Sequence, residues 1–522
     1  MRVNAPEEKL GSWSAKPTLA VGTWLRHWAF RVLVVAIVGL AIGYRSDDIT
    51  QWPMQFHLTL QYENALTARR IWLNLRREPI SADEERWLDG WNGRLKAPPV
   101  LEFLTAVTYL MGHHERPWVA TVFTSAFWLL GGVFLVKLLR RVGAKRWGIV
   151  AALLFYLLSP FAVAVSRSFQ HEALMVFTFL LALCVLVGRE QLTGWRGTLV
   201  AGVVCGMSAL AKPGILLLPL LSAYAALRIQ SIGFGGLLSS GRTYAFALLT
   251  VAPSVGYALV ALRGESHQLL PQLLLQGMFY RWWAWNIIRV TGWMPLLLGI
   301  AGAWLLALRR RNFLGLGLLA GYVGYALLFT YANMTHDYYL VPLLVILAIC
   351  LSVTVDALVQ AAVRLGGSAA VIDAAAIAVC AAVLVAQGAS HELPPPEDPA
   401  QARREREIGV ALGPGSRVLS LSRAYGYELM YNGWLLAYWW PTWTDKWYEE
   451  LRASRVIPDD LGLQRMLAVF RPSYFVITDL DDLAGQFGLA DLLRTHYCVR
   501  LYRPHAIVYD LTQPCRVHAS AS

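Results

Sequence analysis

Apolar runs long enough to cross about 30 Å of hydrocarbon recur along most of this chain, and no other feature limits its fold so strongly. In lipid the backbone must satisfy its own N–H and C=O groups, so such runs become helices. The composition agrees. Of 522 residues, 56% are hydrophobic and 15% are charged, whereas soluble domains are about a quarter charged. The sequence predicts an α-helical polytopic membrane protein of about eleven spans, over 28–44, 117–138, 147–164, 172–187, 197–211, 213–227, 243–262, 293–308, 313–331, 338–355 and 369–388.

The formal net charge of +12 belongs to the same picture. Lys and Arg concentrate in short cytoplasmic loops, so the charge needs no nucleic-acid partner. With residues 1–27 as a cytoplasmic tail, strict alternation puts the short basic clusters on one side. These are Arg26 and Arg31; Arg140, Arg141, Lys145 and Arg146; Arg189 and Arg196; Arg228 and Arg242; Arg309, Arg310 and Arg311; and Arg364. The first span lacks a small-residue cleavage site and reads as an uncleaved anchor.

Two long pieces then leave the membrane on the opposite, extracytoplasmic face (periplasmic or outer). One is the outer loop 45–116, inside a membrane domain of residues 28–388. Its stretch "QYENALTARRIWLNLRR" gathers Leu66, Ile71, Trp72 and Leu75 on one side and is expected to lie flat at the interface. The aromatic "FYRWWAWNIIRV" at 279–290 reads as an aromatic belt. The other piece, 389–522, opens on a charged, Pro-rich linker and reads as a small α/β domain. "SRVLSLS" and "SYFVITD" are strands, and "CVRLYRPHAIVYDL" is a hairpin turning at Pro504 and His505. The Trp-crowded 434–448 suits stacking on sugars, contact with headgroups, or a plain core strand. Cys498 and Cys515 share the outer side, where a disulfide can form; Cys184, Cys205, Cys350 and Cys380 lie in spans as packing residues. "GFGG" at 233–236 follows no soluble strand and is not a dinucleotide fingerprint.

Ionisable groups in or beside spans are costly and mark function by default. On this topology they gather at the outer rim. Asp47 and Asp48 follow the first span. Lys96 precedes a Pro-Pro pair that ends the local structure. "SRSFQHEAL" brings Arg167, His171 and Glu172 between the third and fourth spans. "ALAKPGILLLP" breaks an apolar hairpin at Lys212 and Pro213. "YANMTHDYYLVP" sets His336, Asp337, Tyr338 and Tyr339 in a turn between the ninth and tenth spans. Singly, each has a bland explanation: a snorkelling arginine, a capped turn, or an acid placed to suit a helix dipole. Together, cations and acids at one rim suit a lipid-borne anion meeting a water-borne partner. Cations stabilise a phosphate whose charge grows as it leaves. A carboxylate takes the proton of an attacking hydroxyl.

These residues resemble the GT-C class of membrane glycosyltransferases, in the branch of protein O-mannosyltransferases and aminoarabinose lipid A transferases. The likeness covers roughly residues 30–350. It rests on "RSDD", "LKAPPVLEFL", "SRSFQHEALMVF", "GMSALAKPGILLLP" and "THDYYLVPLL". The resemblance implies a GT-C-like bundle, a polyprenyl-phosphate sugar donor, and an extracytoplasmic acceptor hydroxyl on a protein, lipid or glycan, with membrane lipids around it. It implies transfer of a hexose or pentose with inversion. By residue, Asp47, Asp48 or Glu63 is the base. The family's acidic pair is Asp-Asp here rather than Asp-Glu, and "YENALTAR" with Glu63 follows about fifteen residues on. Position directly after the helix favours the aspartates. Lys96, Arg167, Lys212, His336 and Tyr338 hold the donor phosphate, and His171, Glu172, Asp337 and Tyr339 complete the pocket. No cofactor is required; Asp47 and Asp48 offer oxygen ligands to a divalent cation, and no Cys/His spacing suits zinc. The competing class is a transporter or flippase for a lipid-linked glycan, whose charges would lie near the midplane between repeated halves.

Overall fold

The computed structural model describes residues 17–47, 49–50, 56–91, 93, 95–188, 194–261, 269–366, 368, 371, 373, 375–378, 382, 399–451 and 458–515. The expected cytoplasmic tail lies outside these residues up to 16, as do Asp48, much of the span 369–388 and the linker up to 398.

The helical part runs α1 (Pro17–Ser46), α2 (Leu58–Leu75), α3 (Ala82–Gly90), α4 (Val100–Gly112), α5 (Trp118–Arg141), α6 (Arg146–Leu158), α7 (Pro160–Arg167) and α8 (Glu172–Val187). It continues with α9 (Trp195–Ala211), α10 (Leu217–Ser239), α11 (Gly241–Ala261), α12 (Gly277–Thr291), α13 (Trp293–Arg310), α14 (Leu314–Leu328), α15 (Thr330–Thr335), a 3₁₀ turn (Asp337–Leu340) and α16 (Val341–Arg364). Among the described residues four helical stretches are long and apolar enough to cross a membrane: α5, α10, α11 and Asp337–Arg364. Counting the bent pairs α6–α7 and α12–α13 as single spans makes six, and α4, α8, α9 and α14 are shorter apolar helices. Several expected spans are therefore broken or short, and their breaks have local causes. Pro160 holds Ser159 extended, and α6–α7 bends by 52°. Gly292 takes φ 74°, a left-handed value open to glycine, and α12–α13 bends by 95°.

Helix α16 is buried without a break from Val341 to Asp356, so this stretch forms the centre of the bundle. Close packing around it depends on missing side chains. A Cβ at Gly302 would meet the Cys350 carbonyl at 1.9 Å, so α13 and α16 pack backbone to backbone. Gly202 and Gly206, four apart on α9, likewise face Leu249 of α11.

The C-terminal part contains α17 (Pro399–Leu412), β1 (Arg417–Leu421), α18 (Tyr427–Gly433), β2 (Leu436–Trp439), α19 (Trp443–Leu451), α20 (Asp459–Phe470), β3 (Tyr474–Ile477), α21 (Leu480–Gly485), α22 (Phe487–His496), β4 (Tyr497–Arg503) and β5 (Ala506–Pro514). Its five strands run β2-β1-β3-β5-β4, with β2, β1 and β3 parallel and β5 antiparallel to both neighbours. The β4–β5 turn falls at Pro504 and His505, since Arg503 pairs with Ala506. The Trp-rich segment divides between strand β2 and helix α19. Trp440 is buried in the sheet core, while Trp439 and Trp443 are exposed. Cys498 and Cys515 form a disulfide beside β4.

The outer loop holds the three helices α2, α3 and α4, and α2 does not leave one face in water as its amphipathic pattern suggested. Gln61 to Arg69 are buried without a break. One apolar core joins Leu66, Trp72, Trp87 and Tyr109 to Leu429, Leu436 and Val508 of the C-terminal part. The buried polar residues Gln61, Glu63, Asn64, Thr67 and Arg69 of α2 tolerate this burial because each finds a partner.

Candidate active site

Helix α2 is fastened to the bundle through side-chain amides. Gln61 donates to the Phe56 carbonyl at 2.8 Å and accepts from the Phe169 N–H at 2.9 Å. Asn64 donates to the Phe169 carbonyl at 2.7 Å. This clamp sets Glu63 on the rim. Its carboxylate is 7% exposed and pairs at 2.8 Å with Lys96, whose side chain is 60% exposed. The segment carrying Lys96 is tied to α11, since the Tyr257 hydroxyl donates to the Leu95 carbonyl at 3.0 Å.

The outer side of α2 is locked by the C-terminal part. Arg69 donates to both oxygens of Glu115, at 2.6 and 3.0 Å, and the Tyr431 hydroxyl donates to the same carboxylate at 2.8 Å. The Arg69 guanidinium lies 4.1 Å from the ring centres of both Tyr431 and Trp434. Such a planar cation is suited to aromatic stacking and bidentate pairing at once.

Lys212 sits at the break foreseen from the sequence. Helix α9 ends at Ala211, Lys212 is extended ahead of Pro213, and the chain turns through Gly214 at φ 92°. Its ammonium donates to Glu172, which opens α8, and lies 4.5 Å from the Tyr338 ring and 5.2 Å from Tyr339. Burial lowers its proton affinity, with the Lys96 charge adding to that effect, while Glu172 works the other way. Lys96 and Lys212 thus share one electrostatic neighbourhood.

The 336–339 turn completes the group. His336 stands 5.3 Å from Tyr338 and 6.0 Å from Tyr339 between ring centres. Burial, with the neighbouring His57 ring and the charges of Lys212 and Lys96, pushes its pKa down to about 4 against the pull of Asp337. A low pKa favours the neutral ring, whose N–H can still donate a hydrogen bond to a phosphate oxygen. Asp337 is buried; its carboxylate meets His57 at 2.6 Å and accepts from Arg289. His171 pairs at 3.2 Å with Glu102, which is buried on α4. Burial opposes its charge, but Glu102 and Glu172 outweigh that and raise its pKa.

The structure thus gathers Glu63, Lys96, Lys212, Glu172, His171, His336, Asp337, Tyr338 and Tyr339 at one end of the bundle. Arg167 ends α7 and donates to the carbonyl of Asp47, so its contact is with the chain after α1. Asp47 is exposed there. Asp48 lies outside the described residues. Sequence reasoning missed His57, Arg289 and Glu102. Glu102 carried a readable signal, being an acid in an otherwise apolar helix. Arg289 was masked by its aromatic neighbours, and His57 is isolated in sequence, held at φ 52° just before α2. Among the described residues no group of three or more His, Cys, Asp or Glu is placed to hold a metal.

Residues 96–257 match the model of the dolichyl-phosphate-mannose-protein mannosyltransferase family. No curated protein matches significantly in sequence. Among solved structures, ArnT from Cupriavidus metallidurans in the apo state is 15% identical with a TM-score of 0.55, over 92% of this chain and 98% of that one. The same protein bound to undecaprenyl phosphate is 14% identical with a TM-score of 0.53, over 91% and 97%. The archaeal oligosaccharyltransferase AglB from Archaeoglobus fulgidus, in complex with an inhibitory peptide and a dolichol-phosphate, is 11% identical with a TM-score of 0.56, over 94% and 75%. The chain has the fold of the GT-C membrane glycosyltransferases, and its residues 96–257 carry the match to the dolichyl-phosphate-mannose-protein mannosyltransferase family.

Proposed function

We propose that this protein transfers a hexosyl or pentosyl group from a polyprenyl-phosphate donor to a hydroxyl of a protein, lipid or glycan acceptor on the extracytoplasmic side, with inversion. One observation carries the reading. Lys212, a half-buried cation flanked by Tyr338 and Tyr339, lies within electrostatic reach of the Glu63–Lys96 pair, and both lysines fall in the segment 96–257 that matches the mannosyltransferase family. The solved ArnT complex with undecaprenyl phosphate is consistent with an anionic lipid head reaching a site of this fold.

Lys96 and Lys212 hold the phosphate in this reading, and Arg289 adds a third positive charge beside Asp337. The exposed Lys96 has room to swing from Glu63 to an arriving phosphate. That movement leaves the Glu63 carboxylate free to take the acceptor's proton. The acceptor oxygen then forms its bond to the anomeric carbon while the carbon–oxygen bond to phosphate breaks. The departing electron pair stays on phosphate, where the cations stabilise it. A phosphate leaves without protonation, so no second carboxylic acid is needed, unlike in ordinary glycoside hydrolysis. Of the carboxylates expected from the sequence, Glu63 is preferred to Asp47 because it pairs directly with Lys96, whereas Asp47 is exposed after α1 and meets Arg167 through its backbone carbonyl.

The test is incubation of purified protein with a polyprenyl-phosphate sugar and candidate acceptors, following polyprenyl phosphate release. Release by the wild type that is abolished in Glu63→Gln and retained in Asp47→Asn and Asp48→Asn supports the reading. Full activity of Glu63→Gln rejects Glu63 as the base, and loss in an aspartate variant reassigns that role.

A further inference from the structure

At the other end of the bundle lies a second charged site. Arg31 is fifteen residues before the end of α1, so it stands about 22 Å along that helix from the rim carrying the candidate site. There Arg31, Arg140, Lys145 and Arg146 surround a cavity of about 540 Å³, together with Phe30, Ala144 and Ile149. None of these seven lining residues is acidic. The nearby buried acid, Asp356, is already engaged. It accepts the N–H groups of Lys145 and Gly148 at 2.5 and 2.9 Å and lies 3.7 Å from Arg310. Arg31, Arg140 and Lys145 are exposed.

The cavity continues into an apolar groove of about 300 Å³ that shares Phe30, Arg31, Arg140 and Ile149 with it. The groove runs between α1 and the α5–α6 pair, walled by Val34, Val35, Val136 and Leu153. A cationic mouth opening into a hydrocarbon-lined slot fits one chemistry: an anionic head joined to an acyl chain.

We propose that this groove binds an anionic phospholipid from the leaflet opposite the candidate site. Arg31, Arg140, Lys145 and Arg146 face its phosphate, and one acyl chain lies along Val34, Val35, Val136 and Leu153. Basic pockets between membrane helices recognise such headgroups by charge, and the groove adds the apolar contact that a free phosphate cannot make. The proposal does not depend on the sugar-transfer reading.

The experiment is lipid retention by the full chain. Purified protein is reconstituted in discs of phosphatidylcholine containing phosphatidylglycerol as a minor component, and the bound lipid is measured by native mass spectrometry. Phosphatidylglycerol is expected to be enriched on the protein. The triple variant Arg31→Gln, Arg140→Gln, Lys145→Gln is expected to retain it about 100-fold more weakly, since each basic side chain contributes roughly fivefold. Val136→Trp, which fills the slot and leaves every charge in place, is expected to lose the lipid as well. Single Arg140→Gln and Lys145→Gln variants give the same reading, at about fivefold each, if the triple variant does not fold. Unchanged retention in the charge variants, or in Val136→Trp, overturns the proposal. Displacement of the lipid by inorganic phosphate at low concentration overturns it too, because a free-phosphate site then accounts for the cations.

Discussion

Glu63 and Lys96, 33 residues apart, meet at 2.8 Å where α2 faces the Pro-Pro turn before α4. The acid is buried and the base is mostly exposed, so only Lys96 can move without exposing a core residue. Glu63→Gln is expected to lower turnover by about 10²- to 10⁴-fold, the usual worth of a general base, with donor affinity little changed. Lys96→Ala is expected to raise the donor KM more than it lowers kcat. Polyprenyl phosphate release at varied donor concentration separates the two, and equal losses of kcat in both variants would contradict the assignment.

Lys212 and Glu172 test burial against function. Removing the cation alone leaves Glu172 buried without its partner, a loss on the order of 3–5 kcal/mol. Lys212→Met is expected to lower the thermal unfolding temperature in detergent. Adding Glu172→Gln should restore most of that stability while transfer stays lost. Recovery of transfer in the double variant would reduce Lys212 to a structural partner.

Arg69 ties α2 to Glu115, in the loop between α4 and α5, and with it to Tyr431 and Trp434 of the C-terminal part. Arg69→Ala is expected to cost about 3–5 kcal/mol through the buried carboxylate it strands. Arg69→Lys should recover little, because an ammonium neither forks onto both oxygens nor stacks between Tyr431 and Trp434. Tyr431→Phe, which removes one hydrogen bond, is expected to cost about 1 kcal/mol. Unfolding temperatures and protease sensitivity of the C-terminal part provide the measurements.

His171 makes stability depend on pH. Its pKa is raised in the folded chain above the unfolded value of about 6.5. Its contribution is therefore fully present below the unfolded value and is lost as pH rises through the folded one. Thermal stability should fall over that window, and His171→Asn or Glu102→Gln should flatten the slope. An unchanged slope in both variants would assign the dependence to other groups.

Much of the site was readable in the chain because its signals are local. Lys212 beside Pro213 marked a broken hairpin, and α9 ends at Ala211. "THDYYLVP" marked a polar turn before an apolar run, and there the 3₁₀ turn leads into α16. The β4–β5 hairpin turned where Pro504 and His505 foretold. The reading of α2 went astray for a stated reason. Its apolar stripe suggested a helix lying on a surface, but partners for its polar face are supplied by Phe169, Glu115 and Tyr431, far away in sequence. His336 was expected to help hold an anion, and the lowering of its pKa by desolvation and by the neighbouring His57, Lys212 and Lys96 could not be read from the chain.

Apolar runs, prolines and the bias of basic loops act over a few residues or a single helix. They were enough by themselves to point to a bundle rich in apolar helices and to a small C-terminal sheet. Which carboxylate faces which cation was decided by packing alone. Glu115 reaches Tyr431 across 316 residues, and His57 reaches Asp337 across 280. The energy of a buried charge depends on what surrounds it in space, and no periodicity along the chain encodes that.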